Sequence, residues 1–143
     1  MTKNIEESRR LARHRAVRAK AKQCYYNAFR VVTNVPEYAD ADYVEGIAIV
    51  DGGLYLEHGW VERDDDILDP TLPDDEAVYF PGLRFSGQTG IAEGLKIPKP
   101  KHTREDLPIF YRFGWGGGDS PEFCKARRDS LAYVNSLLAT KAG

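Results

Sequence analysis

The chain has 143 residues, enough for one domain with its own core and too few for two ordinary ones. Hydrophobic residues make up 42% and charged residues 29%, the balance of a soluble globular protein, and no run of about 18 apolar residues offers a membrane span. The net charge of −2 conceals a segregation.

Residues 1–30 carry nine Lys/Arg against Glu6 and Glu7, a balance of +7, whereas residues 37–76 carry fourteen Asp/Glu against Arg63 alone, a balance of −13. A basic arm beside an acidic block suits either a nucleic-acid contact or attraction between the two segments. The arm lacks interleaved aromatics and any nucleic-acid module, so self-pairing or solvation is the reading adopted. Two cysteines 100 positions apart make no disulfide framework. The charged N-terminus has no apolar stretch behind it of the kind a secretory signal needs, and the cytoplasm is the expected location.

In chain order, Asn4 to Ala21 reads as helix by composition, with only a weak apolar stripe. Residues 1–22 are taken as a basic helix or arm and 23–143 as a single domain. A second helix runs from Cys24, with Asn27, Ala28, Val31 and Val32 at helical offsets, and stops before Pro36. Tyr43–Val50 is β-rich, Asp51-Gly52-Gly53 is turn chemistry, and Leu54–Glu62 alternates. That alternation puts Leu54, Leu56, His58 and Trp60 on one face. Ile67–Asp69 then forms a short strand ended by Pro70, and Val78–Phe80 another before Pro81. Residues 86–106 read as a long irregular loop, Ile109–Phe113 as β, and Trp115 to Gly118 as a mobile segment or flap. A last helix starts with Ser120 as N-cap and Pro121 at its first position, and shows a stripe of Phe123, Ala126, Leu131, Val134, Leu137 and Leu138. The sum is an α+β domain: a Cys-bearing helix on a small antiparallel sheet, with a C-terminal helix.

A thiol nucleophile needs a cysteine, a histidine to take its proton, and a third group to fix the tautomer of that histidine. Cys24 stands where a helix begins, so the unpaired N–H groups and the helix dipole favour the thiolate. The eleven-residue interval from His58 to Asp69, with its turn near Asp64, can put both side chains on one sheet face, where the carboxylate would hold a ring nitrogen. An acidic turn of Asp64, Asp65 and Asp66 is read as solvated and not as a metal site. Cys124 is read as a structural thiol.

The succession Cys24-x-x-Asn27-Ala28, Tyr43-Val44-Glu45-Gly46, His58-Gly59-Trp60-Val61 and Ile67-Leu68-Asp69-Pro70-Thr71 resembles the transglutaminase-like, papain-related superfamily. It also resembles short uncharacterised bacterial and phage proteins that continue with an aromatic-Pro-Gly-Leu-x-Phe segment, here Tyr79 to Phe85. The resemblance spans residues 24–85. It implies Cys24 as nucleophile, His58 as base and Asp69 as orienting group, with Gln23, Asn27 and Trp60 positioning the substrate or its oxyanion and no metal or cofactor. Three departures stand out: Gly59 replaces Ala, Lys22 occupies the place of a Trp, and the His-to-Asp interval is short.

The expected activity is acyl transfer from a protein or peptide amide, to water as a peptidase or amidase, or to an amine as a transglutaminase. The alternative is an inert bacterial or phage protein on the same fold that binds a host protein. A nucleic-acid partner and a membrane are not expected.

Overall fold

The computed structural model describes residues 1–142. Strands β1 (Thr2–Lys3), β2 (Asp42–Val50), β3 (Leu54–Arg63), β4 (Asp66–Leu68) and β5 (Ala77–Ser86) form one sheet in the order β1-β4-β3-β2-β5. All pairings are antiparallel except β1 with β4, which is parallel. The sheet is therefore mixed, where an all-antiparallel one was expected. Helices α1 (Ile5–Arg13), α2 (Cys24–Asn34), α3 (Gly87–Leu95) and α4 (Pro121–Ala142) complete the α+β architecture.

Period-two alternation sorts the sheet's faces. Tyr43, Val61 and Leu68 turn towards α2 and pack with Leu11, Ala28, Val31 and Val32, while Ile47 and Ile49 pack with Phe110 and with Phe123 and Ala126 of α4. Val44, Trp60 and Ile67 point the other way and are covered in part by Tyr79. β2 is buried along nearly its whole length because it has a strand on each side.

Several elements differ from the sequence reading. The first helix ends at Arg13, not near Ala21, and residues 1–22 are built into the domain: β1 joins the sheet, and Ser8, Leu11 and Val17 are buried. β5 runs straight through Pro81, with a bulge opposite Glu45/Gly46 that absorbs the proline. The segment 86–106 contains α3. Its glycines, which argued for a loop, are contact points: a Cβ on Gly90 would lie 2.9 Å from the Phe85 carbonyl carbon, and one on Gly94 would lie 2.7 Å from the Phe85 ring. Residues Ile109–Arg112 form a 3-10 turn instead of a strand. The C-terminal helix starts as expected, with the Ser120 hydroxyl accepting from the Phe123 N–H at 3.1 Å, but Leu131 and Leu138 of its stripe are exposed.

Charge segregation is resolved within the chain at its first half. Arg9 pairs with Asp74, Arg10 with Glu7 and Glu37, and the Lys3 ammonium donates to the carbonyls of Leu72 and Asp75. Among the described residues no helix is long and apolar enough to cross a membrane.

Candidate active site

Continuing the β3–β4 register of Val61 with Leu68 places Asp69 opposite Trp60, on the face that carries His58. The side chains meet: His58 Nε2 lies 2.8 Å from Asp69 Oδ2, and both groups are buried. Asp69 is held from several sides. Its Oδ1 accepts the N–H groups of Thr71 at 3.1 Å and Leu72 at 3.0 Å, and its own N–H donates to the Ser8 hydroxyl at 3.0 Å. Its Oδ2 also accepts the Tyr79 hydroxyl at 2.7 Å. The short Pro70 turn thus wraps its backbone donors around a carboxylate, which fixes where that carboxylate points.

Cys24 opens α2 and is partly exposed. Its sulfur lies near enough to His58 to help raise the pKa of that ring. With Nε2 given to Asp69, Nδ1 is the ring nitrogen left for it. Gly59 permits the approach. A Cβ there would come within 2.8 Å of the Tyr25 ring and 3.2 Å of the Tyr25 Cα, so any larger residue would push the start of α2 off the strand. The glycine at 59 is thus a close contact between helix and strand.

Electrostatics follow from burial and partners. Burial pulls His58 down, but the charge and hydrogen bond of Asp69, followed by the Cys24 sulfur, raise it further, to about 10. Burial likewise pushes the Asp69 carboxyl up, yet His58, the Tyr79 hydroxyl and the Leu72 N–H together hold it below the usual carboxylate value. The ring is therefore protonated across the neutral range.

The remaining predicted positions fall as follows. Gln23 precedes α2 as its N-cap, makes no side-chain capping bond, and lines an open groove with Lys22, Tyr26 and Arg30. Asn27 is fully buried and its polar atoms are taken. It accepts from the Lys20 N–H at 3.0 Å and from Arg30 at 3.3 Å, and donates to the Lys20 carbonyl at 2.8 Å and the Thr71 hydroxyl at 2.9 Å. As placed, it clamps the segment before α2 to the turn after Asp69 and has no donor left for a substrate. Trp60 is also fully buried; its indole N–H donates to Glu62 at 3.0 Å, and it stacks near His58 with centroids 6.1 Å apart. It backs the histidine and faces no solvent. Cys124 is partly exposed with its sulfur 3.5 Å from the Gly118 carbonyl, and both cysteines are free.

Three residues around the site escaped the sequence reading. Ser8 and Tyr79 reach Asp69 from β-strand and helix partners distant in sequence, and no local pattern announces them. Glu45 is a buried carboxylate that accepts the N–H groups of Ile109 at 2.6 Å and Phe110 at 2.7 Å and the Tyr43 hydroxyl at 2.7 Å. Burial raises it to about 7 in spite of these donors. Its signal was an acidic residue on the same strand face as Tyr43 and Ile47. Among the described residues, no group of three or more His, Cys, Asp or Glu side chains could hold a metal ion.

Compared with protein-family models, with curated proteins and with solved structures, the chain matches none.

Proposed function

We propose that the chain is a thiol-dependent acyl-transfer enzyme of transglutaminase- or papain-like type, acting on a protein or peptide amide. The observation that carries this reading is the His58 ring, held at Nε2 by a buried, four-times-bonded Asp69, with Nδ1 not used by Asp69 and Cys24 near it at the start of α2. An imidazolium beside a sulfur at a helix N-terminus is the charge arrangement that thiol nucleophiles use.

In this reading the Cys24 sulfur attacks the amide carbonyl and forms a tetrahedral oxyanion. The Cys24 N–H at the first turn of α2, with the side chain of Gln23, which makes no capping bond, would donate to that oxyanion. His58 Nδ1 protonates the leaving amine, the C–N bond breaks, and a thioester remains on Cys24. Water or a second amine, deprotonated by His58, then attacks the thioester and restores the thiol. Asp69 keeps its negative charge throughout and holds the ring.

The alternative, an inert protein that acts by binding a host protein, separates from this reading at the thiol. Iodoacetamide labelling of Cys24, followed by mass spectrometry between about pH 4 and 10, is the test. The enzyme reading expects fast labelling near pH 6 that drops by about tenfold or more in His58→Ala. Slow labelling at that pH, unchanged by the substitution, would remove it in favour of the binding protein.

A further inference from the structure

The basic N-terminal segment divides into two halves with different fates. Arg9 and Arg10 are paired with acids of the same chain. Beyond them, Arg13, Arg15, Arg18, Lys20 and Lys22 are all exposed, and among the described residues none makes a salt bridge. No acid stands between Glu7 and Glu37 in the sequence, so nothing local offsets this charge.

This second half is also held in place. Arg18 and Lys22 adopt left-handed backbone conformations, with φ of 47° and 64°, which residues with a Cβ rarely take. The buried Asn27 amide binds both the N–H and the carbonyl of Lys20 between them. Such strain persists only where the surrounding structure overdetermines it. The cations are thus displayed on a fixed loop that ends one residue before Gln23 and two before Cys24.

Beside that loop lies an open groove of about 440 Å³, into which Lys22 and Arg30 bring positive charge and Leu107 an apolar wall. The one carboxylate there, Glu105, is engaged by the Tyr26 hydroxyl at 2.7 Å.

We propose that this face binds an acidic peptide segment, with its carboxylates on the Arg13–Lys22 loop and its chain running along the Lys22–Arg30 groove towards Cys24. Binding itself needs only these cations; that the peptide is a substrate rests on the acyl-transfer reading above. A peptide fits better than a nucleic acid. Its charges can be spaced to avoid Glu105 in the groove, whereas a phosphate backbone carries one at every nucleotide. An extended peptide also supplies the amide carbonyl the thiol requires.

Fluorescence anisotropy of a fluorescein-labelled peptide whose Glu residues are separated by Gly and Ser, with the full chain, tests the proposal without relying on thiol chemistry. The expected result is saturable binding that weakens by about tenfold or more between about 0.01 M and 0.15 M ionic strength. The double variant Lys20→Glu, Lys22→Glu weakens it by about tenfold or more, and the pair Arg13→Glu, Arg15→Glu, ahead of the strained Arg18–Lys22 stretch, weakens it in the same sense. Arg128→Glu, an exposed cation on α4 that does not line the groove, leaves it unchanged. Bound peptide should also slow alkylation of Cys24. Equal affinity in wild type and both double variants overturns the proposal, and so does tighter binding of a single-stranded DNA oligonucleotide than of the peptide. The two readings fail separately: lost peptide binding with fast, His58-dependent labelling removes only the acidic ligand, and intact binding with a slow, His58-independent thiol removes only the chemistry.

Discussion

Asp69 Oδ2 accepts from two donors, His58 Nε2 and the Tyr79 hydroxyl, and this sharing sets how strongly the carboxylate holds the ring. Removing the hydroxyl leaves Asp69 with more negative charge to offer His58. Tyr79→Phe is therefore expected to raise the pH at which His58 loses its proton, read directly from the ring-proton chemical shift in an NMR titration. A downward shift would mean that the hydroxyl orients the pair instead of moderating it. Asn27 has a different part: it ties Lys20 to Thr71 from inside the core. Asn27→Ala takes the partner from the Lys20 N–H and from the Thr71 hydroxyl and leaves the Lys20 carbonyl only the Gln23 N–H, and a loss of about 1–3 kcal/mol in urea unfolding is expected. If the clamp is what presents Cys24 correctly, alkylation of the folded variant slows as well.

At the level of elements, the meeting of α2 with β3 decides the site, and Gly59 is its tightest point. Gly59→Ala adds a Cβ that must displace the Tyr25 ring or backbone. Overpacking of this kind costs about 1–3 kcal/mol, so the expected outcome is a lower urea midpoint with the slope unchanged. The helix should also retreat from His58, which the pH dependence of Cys24 labelling would register. Gly46 imposes a related limit on β2: a Cβ there would collide with the Phe80 carbonyl and reach within 2.9 Å of the Trp60 ring that backs His58. Glu45, its neighbour, fastens the 3-10 turn at Ile109–Arg112 to the sheet through two backbone N–H groups. The turn owes its place to a carboxylate on β2 and not to its own β-like sequence.

For the whole molecule, the buried ionisable groups predict a slope of stability with pH. Glu45 is raised from 4.5 to about 7 on folding, so its contribution is full below about pH 4.5 and is lost as pH rises through 7. His58 is raised from 6.5 to about 10, so its contribution is full below about pH 6.5 and is lost as pH rises through 10. Asp69 is lowered, so its contribution is present above its ordinary value of 3.8 and is lost as pH falls below that. The urea midpoint of wild type minus that of Glu45→Gln should fall as pH rises from about 4.5 to 7, and stay level beyond it. A signed difference that rose over that interval would contradict the raised Glu45.

Features that depend on neighbours along the chain could be read from the residues alone. The helix from Cys24 ends at Asn34 before Pro36, the hairpin turns at Asp51–Gly53, and Ser120 caps α4, because caps, turns and proline act within a few residues. The eleven-residue interval placed His58 and Asp69 on one face for the same reason, since strand alternation and a tight turn leave little freedom. The rest follows from packing between segments far apart in the chain. α3 forms over glycines because Phe85 packs against them, β5 passes Pro81 because a bulge absorbs it, and β1 joins β4 because backbone groups of the two meet across more than sixty residues. Tyr79, Ser8 and Glu45 acquire their roles in the same way. Each bonds a partner at least ten residues away, and a buried polar group takes its meaning from the partner that satisfies it.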